Sequence, residues 1–315
     1  MSHMTTSQAR VIDPVLTEVA RGYGGNQSPV ADVLFPTVRV GQRGGRIVSF
    51  GPDDFKLLTT SRAPGANTKR VAFGYTSGSF ALVDYSLEGS VPIELMQEAE
   101  AVPGIDLASG AVRKVRNIMS LEREKQAADL ALNAASYGAS NKITLAGTDQ
   151  WDQYAEVASD PVADINTGKE AVRGQIGQRP NILVVGPKVL TALRSHPKVL
   201  DRLSTASDRP PATLAQLAAL FEVDRVVEGG AVYHNGTSFA DVWGKFALLA
   251  YTTPASLAEM GSPSFGYTYQ LDGYPLVEEA YYERNSKTWY YPVTDARQPV
   301  LAGASAGYLI SAAVA

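Results

Sequence analysis

The amino-acid sequence predicts an α+β fold, and three segments support this prediction. The odd positions from Val71 to Leu87 form a face with a period of two, which is typical of a β-strand. Residues from about 106 to 137 carry apolar side chains at the i, i+3, i+4 spacing of one long helix. From residue 161 onward, helical and strand-like segments alternate before a β region rich in tyrosine closes the chain.

Residues 1–43 are predicted to form an extended arm. Glycines and prolines between residues 22 and 36 would interrupt a helix there, and the apolar side chains are scattered. One short helix is expected at residues 13–21, because Asp13 can cap it and a proline follows at the first helical position.

Residues 44–92 are predicted to form a long β-hairpin, in which residues 45–50 and 55–60 pair with the strand that ends near Leu87. An isolated two-stranded hairpin is marginally stable in water. Six charged residues leave this one little apolar surface for folding alone: Asp53, Asp54, Lys56, Arg62, Lys69 and Arg70. The hairpin is therefore predicted to lie on a second copy of the chain, with these six residues as candidate contacts.

The long helix is predicted to begin after Asp106 as its N-cap and to end near Tyr137, with Gly138 closing it. About 30 residues at a rise of 1.5 Å give a helix about 45 Å long. That length exceeds what a compact domain requires. Four consecutive charged residues in its middle are expected to face solvent or a neighbouring copy: Glu122, Arg123, Glu124 and Lys125.

Residues 161–262 are predicted to form an α/β block. Helices are expected in four segments: 167–178, 187–195, 197–203 and 214–221. Residues 181–185 are expected to form a buried strand. Residues 226–227 and 231–233 are expected to pair with 239–251, and Asn235-Gly236 supplies a favoured hairpin turn. Four more strands are expected towards the C-terminus: 264–270, 276–282, 288–294 and 308–314.

Composition excludes several classes of protein and site. The 315 residues are 45% hydrophobic, which suits one large or two modest domains with a real core. Cysteine is absent, so disulfides, thiolate metal sites and a cysteine nucleophile are excluded. The net charge of −4 gives no basic excess of the kind that marks a dedicated nucleic-acid-binding protein. No apolar run approaches the ~20 residues of a membrane span, and no signal peptide is visible.

Residues 303–307 spell G-x-S-x-G, the motif that places the nucleophilic serine of α/β-hydrolases. That motif requires a strand before it, a helix after it, and an acid and a histidine further along the chain. Only eight residues follow here, and none of them is histidine. Ser305 is therefore predicted to lie in a turn between two strands.

The remaining polar residues form no catalytic constellation. His196 and His234 belong to no spaced set of metal ligands. Asp53-Asp54 and Glu278-Glu279 are adjacent carboxylates, but neighbouring residues on a strand point to opposite faces. The sequence therefore predicts a structural protein without an enzymatic activity and without a cofactor.

The order of arm, long hairpin, long helix, α/β block and closing strands resembles that of the major capsid proteins of tailed bacteriophages. These proteins have the Hong Kong ninety-seven capsid fold, which encapsulins share. Residues 181–203, from Asn181-Ile-Leu-Val-Val to Leu203, resemble the A-domain of this family. Residues 213–223 and 241–251 resemble other parts of that domain. By segment order the resemblance covers nearly the whole chain.

The resemblance implies four regions. Residues 1–43 would be the N-terminal arm, and residues 44–92 would be the E-loop, which in this family lies across the adjacent subunit. Residues 161–262 would form the A-domain. The P-domain would combine residues 93–160 and 263–315, with the spine helix at about 106–137 and long β-strands.

The resemblance also implies a function and its partners. The chain would be a structural virion protein that assembles in the host bacterial cytoplasm, as hexamers and pentamers, into an icosahedral capsid. The capsid would enclose double-stranded DNA without sequence specificity, and a portal would be a further partner. A separate scaffolding protein is expected, because the chain shows no long N-terminal helical extension. No membrane partner is expected.

Some family members join their subunits through a lysine–asparagine isopeptide bond. The residues of this chain that could correspond are Lys56 and Lys69 on the E-loop and Asn285 in the P-domain.

Two alternative functions stay open at the level of sequence. An encapsulin shell protein would share the fold but enclose a cargo enzyme, and neighbouring genes would distinguish it from a phage capsid protein. A serine hydrolase that uses Ser305 is the second alternative, and labelling by a fluorophosphonate probe would test it.

Overall fold

The computed structural model describes residues 30–47, 57, 60–62, 64–65, 67–68, 70, 78–100, 106–203, 210–256 and 262–315. Within these residues the predicted α+β class is confirmed. The helix predicted at residues 13–21, most of the strand predicted at 55–60, and residues 71–77 of the strand predicted at 71–87 lie outside the described residues.

The described chain contains seven α-helices and fifteen β-strands, and short 3₁₀ turns connect several of them. The helices are α1 (Val30–Leu34), α2 (Ile93–Glu100), α3 (Leu107–Ala131), α4 (Pro161–Ile176), α5 (Pro187–Ser195), α6 (Pro197–Leu203) and α7 (Leu214–Phe221). The strands are β1 (Thr37–Val40), β2 (Gly44–Arg46), β3 (Ser79–Ala81), β4 (Val83–Pro92), β5 (Lys142–Thr144), β6 (Ile182–Val185), β7 (Arg225–Glu228), β8 (Val232–His234), β9 (Phe239–Asp241), β10 (Ala247–Ala250), β11 (Gly266–Leu271), β12 (Leu276–Val277), β13 (Tyr281–Glu283), β14 (Thr288–Leu301) and β15 (Gly307–Ser311).

The larger sheet has six strands and is organised around β14. One side of β14 pairs antiparallel with β4 over ten residue pairs, from Thr288↔Pro92 to Arg297↔Val83. The other side pairs antiparallel with β11, β12 and β13, and β1 adds to β11 in parallel. Among the described residues no further strand pairs with β4, so β4 forms an open edge of this sheet.

The strand predicted at residues 288–294 was too short, because β14 continues to Leu301. The continuation contains Asp295 and Arg297, two charged residues that sequence reading places outside a buried strand. Both side chains are buried and hydrogen-bonded to each other, with Arg297 Nη1 donating to Asp295 Oδ2 at 3.0 Å. This internal pairing allows the strand to run on through the core.

Helix α3 packs across β4 and β14. Val112, Val115 and Met119 are buried on its inner face and belong to the same apolar cluster as Val293 of β14. Burying each such side chain contributes about 1.5–3 kcal/mol. Gly89 of β4 permits a close approach, because a Cβ atom there would lie 2.9 Å from the Cβ of Ala111. The helix and the two strands thus form one layered unit.

The predicted start of the long helix is confirmed, and its predicted end is wrong. Asp106 caps α3 by accepting a hydrogen bond from the Ser109 amide at 3.1 Å. The helix ends at Ala131, and Asn133 then caps a short 3₁₀ turn by accepting from the Ala135 amide at 3.1 Å. Asparagine side chains compete with helices in this way, since they bond nearby backbone groups. At 25 residues α3 is about 37 Å long.

The smaller sheet has five strands in the order β5-β15-β10-β6-β7. Strand β10 pairs antiparallel with both β6 and β15, and β6 pairs in parallel with β7. Strands β6 and β10 are buried at every position. The largest buried apolar cluster of the described chain lies around this sheet and includes residues of α4 to α7.

Several predictions for the α/β block are confirmed, and two need correction. Helices α5, α6 and α7 lie where expected, and the Asn235-Gly236 turn joins β8 to β9. Helix α4 begins at Pro161 instead of residue 167, because Asp160 caps it and proline occupies its first position. Of the pairing predicted with residues 239–251, only the β8–β9 part is observed. The fully apolar β10 lies centrally in the sheet, between β6 and β15.

The prediction for Ser305 is confirmed, since it lies in a turn between two strands. Strand β14 ends at Leu301, a 3₁₀ turn spans Ala304–Ala306, and β15 begins at Gly307. The helix that a nucleophile motif needs after its serine is therefore replaced by a strand.

His196 is almost fully buried, at 1% exposure, between α5 and α6. Its Nδ1 accepts from the Lys198 amide at 3.2 Å, which assigns the ring proton to Nε2, 3.1 Å from Ser159 Oγ. Burial lowers the pKa of His196 below its usual value of 6.5, and the charge of Lys198 acts in the same direction. The neutral ring is thus part of the folded structure.

The buried neutral ring of His196 predicts that the free energy of unfolding decreases in acid. The unfolded chain takes up the proton first as the pH falls below about 6.5, so the free energy of unfolding decreases from that pH downward. Urea unfolding at pH 7.5 and 5.5 should show a smaller decrease for His196→Gln than for the wild type. His234→Gln, which changes an exposed side chain, should keep the wild-type decrease. Equal decreases in all three proteins would contradict this prediction.

Candidate assembly surfaces

The ribbon root, defined as residues 43–47 and 78–82, is a two-stranded ribbon that leads directly into β4 of the larger sheet. Strands β2 and β3 pair antiparallel, from Gly44↔Ala81 to Arg46↔Ser79. The Ile47 amide donates to the Gly78 carbonyl at 2.8 Å, so the pairing continues to the last described pair. The ribbon root therefore brings together the two ends of residues 48–77.

The ribbon root is anchored on its own subunit. The ring of Phe80 stacks on that of Tyr269 in β11, with centroids 4.1 Å apart and planes inclined by 1°. Ile47 and Val38 complete the buried cluster below it. An offset aromatic pair contributes about 0.5–1.5 kcal/mol beyond its buried area.

These contacts correct one part of the sequence interpretation. The hairpin was predicted to be completed only by a second copy. Residues 83–92, at its C-terminal end, pair instead with β14 of the same chain, and the ribbon root packs on β11. The physical reason is that β14 is long enough to satisfy the backbone of β4. The prediction of a contact with a neighbouring copy therefore remains only for residues 48–77, most of which lie outside the described residues, and for the outer edge of β4.

Three described residues beyond the ribbon root bear on the predicted contacts. Arg62 and Arg70 are exposed, as a contact with another subunit requires. Leu57 is fully exposed at 101%, which leaves a large apolar side chain in water. The other four predicted contacts of this segment lie outside the described residues: Asp53, Asp54, Lys56 and Lys69.

The charged middle of α3 divides into exposed and internal residues. Glu122 is about half exposed, and Lys125 forms an ion pair with Asp129 one turn further on. Arg123 is mostly buried and donates to Thr37 Oγ1 at 2.9 Å. Glu122 and Lys125 therefore remain candidates for contacts between subunits, and Arg123 is largely used within the chain.

The prediction that Glu124 faces solvent or a neighbouring copy is wrong, because its side chain is buried inside its own subunit at 4% exposure. Its Oε1 accepts from the Val30 amide at 3.0 Å and from Trp243 Nε1 at 2.7 Å. Its Oε2 accepts from the Ala31 amide at 2.9 Å. Burial raises the pKa of Glu124, and these three hydrogen bonds act against that rise. The carboxylate thus ties α1 and the Trp243 loop to α3 and has no role at a subunit surface.

Helix α1 was not predicted, since the arm was expected to be extended up to residue 43. The signal that could have revealed it is Ser28-Pro29, a cap-type residue and a proline directly before Val30. The docking of its first two amides on Glu124 depends on residues more than 90 positions apart. Local sequence therefore carries no information about that contact.

An aromatic hairpin at the end of the larger sheet offers a further exposed surface. Tyr281 of β13 stacks on Tyr290 of β14 with centroids 5.3 Å apart, and Tyr282 lies 5.4 Å from Trp289. Tyr281 Oη donates to Glu88 Oε2 on β4 at 3.0 Å. Asn285 is exposed in the turn between the two strands. An isopeptide bond between Asn285 and Lys56 or Lys69 stays a prediction, since both lysines lie outside the described residues.

Over the described ranges, no group of three or more His, Asp or Glu side chains could hold a metal ion. None of the helices in the same part of the chain is long and apolar enough to cross a membrane.

Comparison with known proteins identifies the family. Residues 116–246 match the family described as phage major capsid protein E. The major capsid protein of Burkholderia phage BcepMu is 35% identical over 310 residues, which cover 97% of each chain. The chain belongs to the phage major capsid protein family. It is thus similar over nearly its whole length to a structural subunit of a virion.

Solved structures agree with the assignment to the major capsid proteins. A phage-related protein from Bordetella bronchiseptica is 42% identical, with a TM-score of 0.78 and coverage of 97% of this chain and 98% of that one. The capsid of cyanophage P-SCSP1u is similar at a TM-score of 0.56, covering 92% and 89% of the two chains. Its 10% identity supports the fold alone.

These findings confirm the resemblance stated from the sequence. The fold is the Hong Kong ninety-seven type, and the function is that of a major capsid protein. Encapsulins share that fold, and the names of the phage relatives favour the capsid protein over the encapsulin alternative.

Proposed function

We propose that this capsid subunit assembles as hexamers and pentamers into an icosahedral shell that encloses double-stranded DNA. The observation that carries the proposal is the open edge of β4, the strand that directly follows the ribbon root along the chain. Among the described residues, the outer edge of β4 has no strand partner over ten residues, about 33 Å. Such edges recruit other chains.

Within the shell, we assign a role to each of the four regions that the resemblance implies. Residues 1–43 act as the N-terminal arm, and residues 44–92 act as the E-loop that contacts the adjacent subunit. Residues 93–160 and 263–315 form the P-domain. Residues 161–262 form the A-domain around the capsomer centres.

Many weak contacts support the closed shell. Exposed ion pairs contribute about 0–1 kcal/mol each, so charged residues such as Arg62, Arg70 and Glu122 select register and partner more than they add affinity. Once part of the shell has formed, each further contact is made at a high effective concentration. Modest interfaces are therefore sufficient for a stable particle.

Other partners of the shell belong to this proposal as well. A separate scaffolding protein guides assembly in the host bacterial cytoplasm, and a portal occupies one vertex. The DNA is packaged without sequence specificity.

Negative-stain microscopy of the purified protein, alone and after co-expression with a scaffolding protein, tests the proposal. Uniform hollow icosahedral particles or hexameric rings are expected. A monodisperse monomer in analytical ultracentrifugation under both conditions would overturn it.

The contents of native particles test the DNA part separately. Particles from the host are expected to protect double-stranded DNA from nuclease. Particles that contain an enzyme and no protected DNA would favour the encapsulin alternative.

A further inference from the structure

The long helix α3 takes part in two separate apolar cores. In its first half, Val112 and Met119 are buried in the cluster against the larger sheet. Near its end, Ala127 and Ala131 are buried in the cluster around the smaller sheet. Between Met119 and Ala127, a stretch that the structure describes in full, the only buried side chain is that of Glu124. A carboxylate therefore occupies the position on α3 where the two cores meet.

The indole of Trp243 connects this carboxylate to the smaller sheet. Trp243 is buried in the loop between β9 and β10, and its Nε1 donates to Glu124 Oε1 at 2.7 Å. The ring packs directly against Gly229, where an added Cβ would lie 2.4 Å from the indole Cγ. The Gly229 amide in turn donates to the Val185 carbonyl of β6 at 2.9 Å. The indole is thus held at a defined place on the smaller sheet.

Helix α1 connects the same carboxylate to the larger sheet. The amides of Val30 and Ala31 donate to Glu124 Oε1 at 3.0 Å and to Glu124 Oε2 at 2.9 Å. Helix α1 is followed directly by β1, which pairs with β11. Next to Glu124, Arg123 Nη2 donates to Thr37 Oγ1 at the start of β1 at 2.9 Å. We name the hydrogen bonds of Glu124 with α1 and Trp243 the Glu124 junction.

Hydrogen bonds at this position restrict the relative orientation of the two sheets. Apolar attraction is non-directional, so it fixes the distance between two surfaces more than the angle between them. A hydrogen bond weakens steeply when its angle falls below about 120°. Because both oxygens of Glu124 are occupied, a rotation of either sheet about α3 breaks at least one bond in a buried site, where an unpaired donor is costly.

We propose that the Glu124 junction fixes the angle between the two sheets and thereby limits assembled subunits to one curvature. The inference rests on the proposed assembly. Every copy in a closed shell repeats the same contacts. A change of angle within each subunit is therefore repeated at every contact and changes the diameter at which the shell closes. A junction that holds a single angle gives particles of a single size.

Distances within the purified subunit test the first part of the proposal. The chain contains no cysteine, so nitroxide labels attach only at introduced positions. Lys114→Cys on α3 and Asn166→Cys on α4 change exposed residues on the larger-sheet side and on the smaller-sheet side. With the junction intact, double electron–electron resonance is expected to give one narrow distribution of distances between the two labels. Glu124→Gln should broaden this distribution.

Two further variants identify the cause of the broadening. Trp243→Phe removes the indole donor and leaves the carboxylate with its two amide donors, so it should also broaden the distribution. It replaces Glu124→Gln if that variant does not fold. Val112→Ala deletes buried methyl groups from the core of the larger sheet, which lowers stability and leaves the junction unchanged. Its distribution should stay narrow.

The size of the particles tests the second part of the proposal. Unlabelled subunits without the introduced cysteines are co-expressed with a scaffolding protein, and the shells are measured by electron microscopy. The wild type and Val112→Ala should each give particles of one diameter. Glu124→Gln and Trp243→Phe should each give particles of more than one diameter in the same preparation.

The proposal requires both the broadened distances and the mixed diameters, and the absence of either overturns it. Equal broadening in Val112→Ala would assign the effect to a general loss of stability and would overturn it as well. If the wild type forms no shell under any condition, the proposed function fails and the link to curvature fails with it. The distances within the subunit then still report whether the Glu124 junction holds one angle.

Discussion

A subunit in which the dipeptide Asn-Gly replaces residues 48–77 is expected to fold and to form no shell. The Ile47 amide already donates to the Gly78 carbonyl, so a two-residue type I′ turn can join the two strands without moving them. The Phe80–Tyr269 stack stays intact. The free energy of unfolding should change by less than about 1 kcal/mol, because the described residues removed are exposed. Urea unfolding and electron microscopy of the same preparation measure the two properties.

A second variant tests whether assembly requires the side chains of residues 48–77 or only the length of this segment. In it, residues 48–77 are replaced by a glycine–serine segment of equal length, which retains the reach of the ribbon and removes its side chains. We expect this variant to fold and also to form no shell. Normal particles from the Asn-Gly variant would show that assembly does not use this segment and would remove the main argument for the proposed E-loop.

Glu124→Ala is expected to lower the free energy of unfolding by about 3–5 kcal/mol. The substitution leaves three buried donors without an acceptor: the Val30 amide, the Ala31 amide and Trp243 Nε1. Each unpaired donor costs about 1–3 kcal/mol, and part of the loss is recovered because a buried charge is removed. Urea unfolding followed by circular dichroism gives the value.

Two control variants test whether the loss of stability comes from the missing Glu124 carboxylate. Glu124→Gln keeps an oxygen for the Val30 and Trp243 donors and places an amide group against Ala31, so an intermediate loss is expected. Glu122→Ala, two residues earlier and half exposed, should change the free energy by less than about 0.5 kcal/mol. A Glu124→Ala value within that same range would contradict the anchoring role.

Element boundaries that depend on local side-chain contacts could be predicted from the sequence. Asp106 and Thr213 each bond an amide three residues ahead, so their helices begin where the pattern indicates. Pro187 and the Asn235-Gly236 turn act through their own backbone preferences. These signals need no information about the rest of the fold.

Contacts between distant segments could not be predicted in this way. The pairing of β4 with β14 joins residues about 200 positions apart, and nothing in residues 83–92 indicates its partner. Glu124 lies between charged neighbours on a helix, a pattern that ordinarily marks an exposed face. Its burial is possible because the fold brings Val30, Ala31 and Trp243 to it as hydrogen-bond donors.

The candidate surfaces also combine features that the sequence indicates with contacts that only the fold creates. The segment order was sufficient to indicate the capsid family, and the relatives confirm it. A cavity between α3 and the larger sheet draws its residues from β1, α3, β11 and β14, and no spacing in the sequence places them together. Its discovery required the tertiary structure.

The pairing of β4 with β14 also sets an order of events during synthesis. A ribosome that has just completed β4 must add about 200 more residues before β14 exists. At 5–20 residues per second this takes about 10–40 s. During that interval the nascent polypeptide exposes an unpaired strand and, once α3 has been synthesised, the apolar face of that helix, so a copy still on the ribosome lacks the folded larger sheet that a capsid subunit presents.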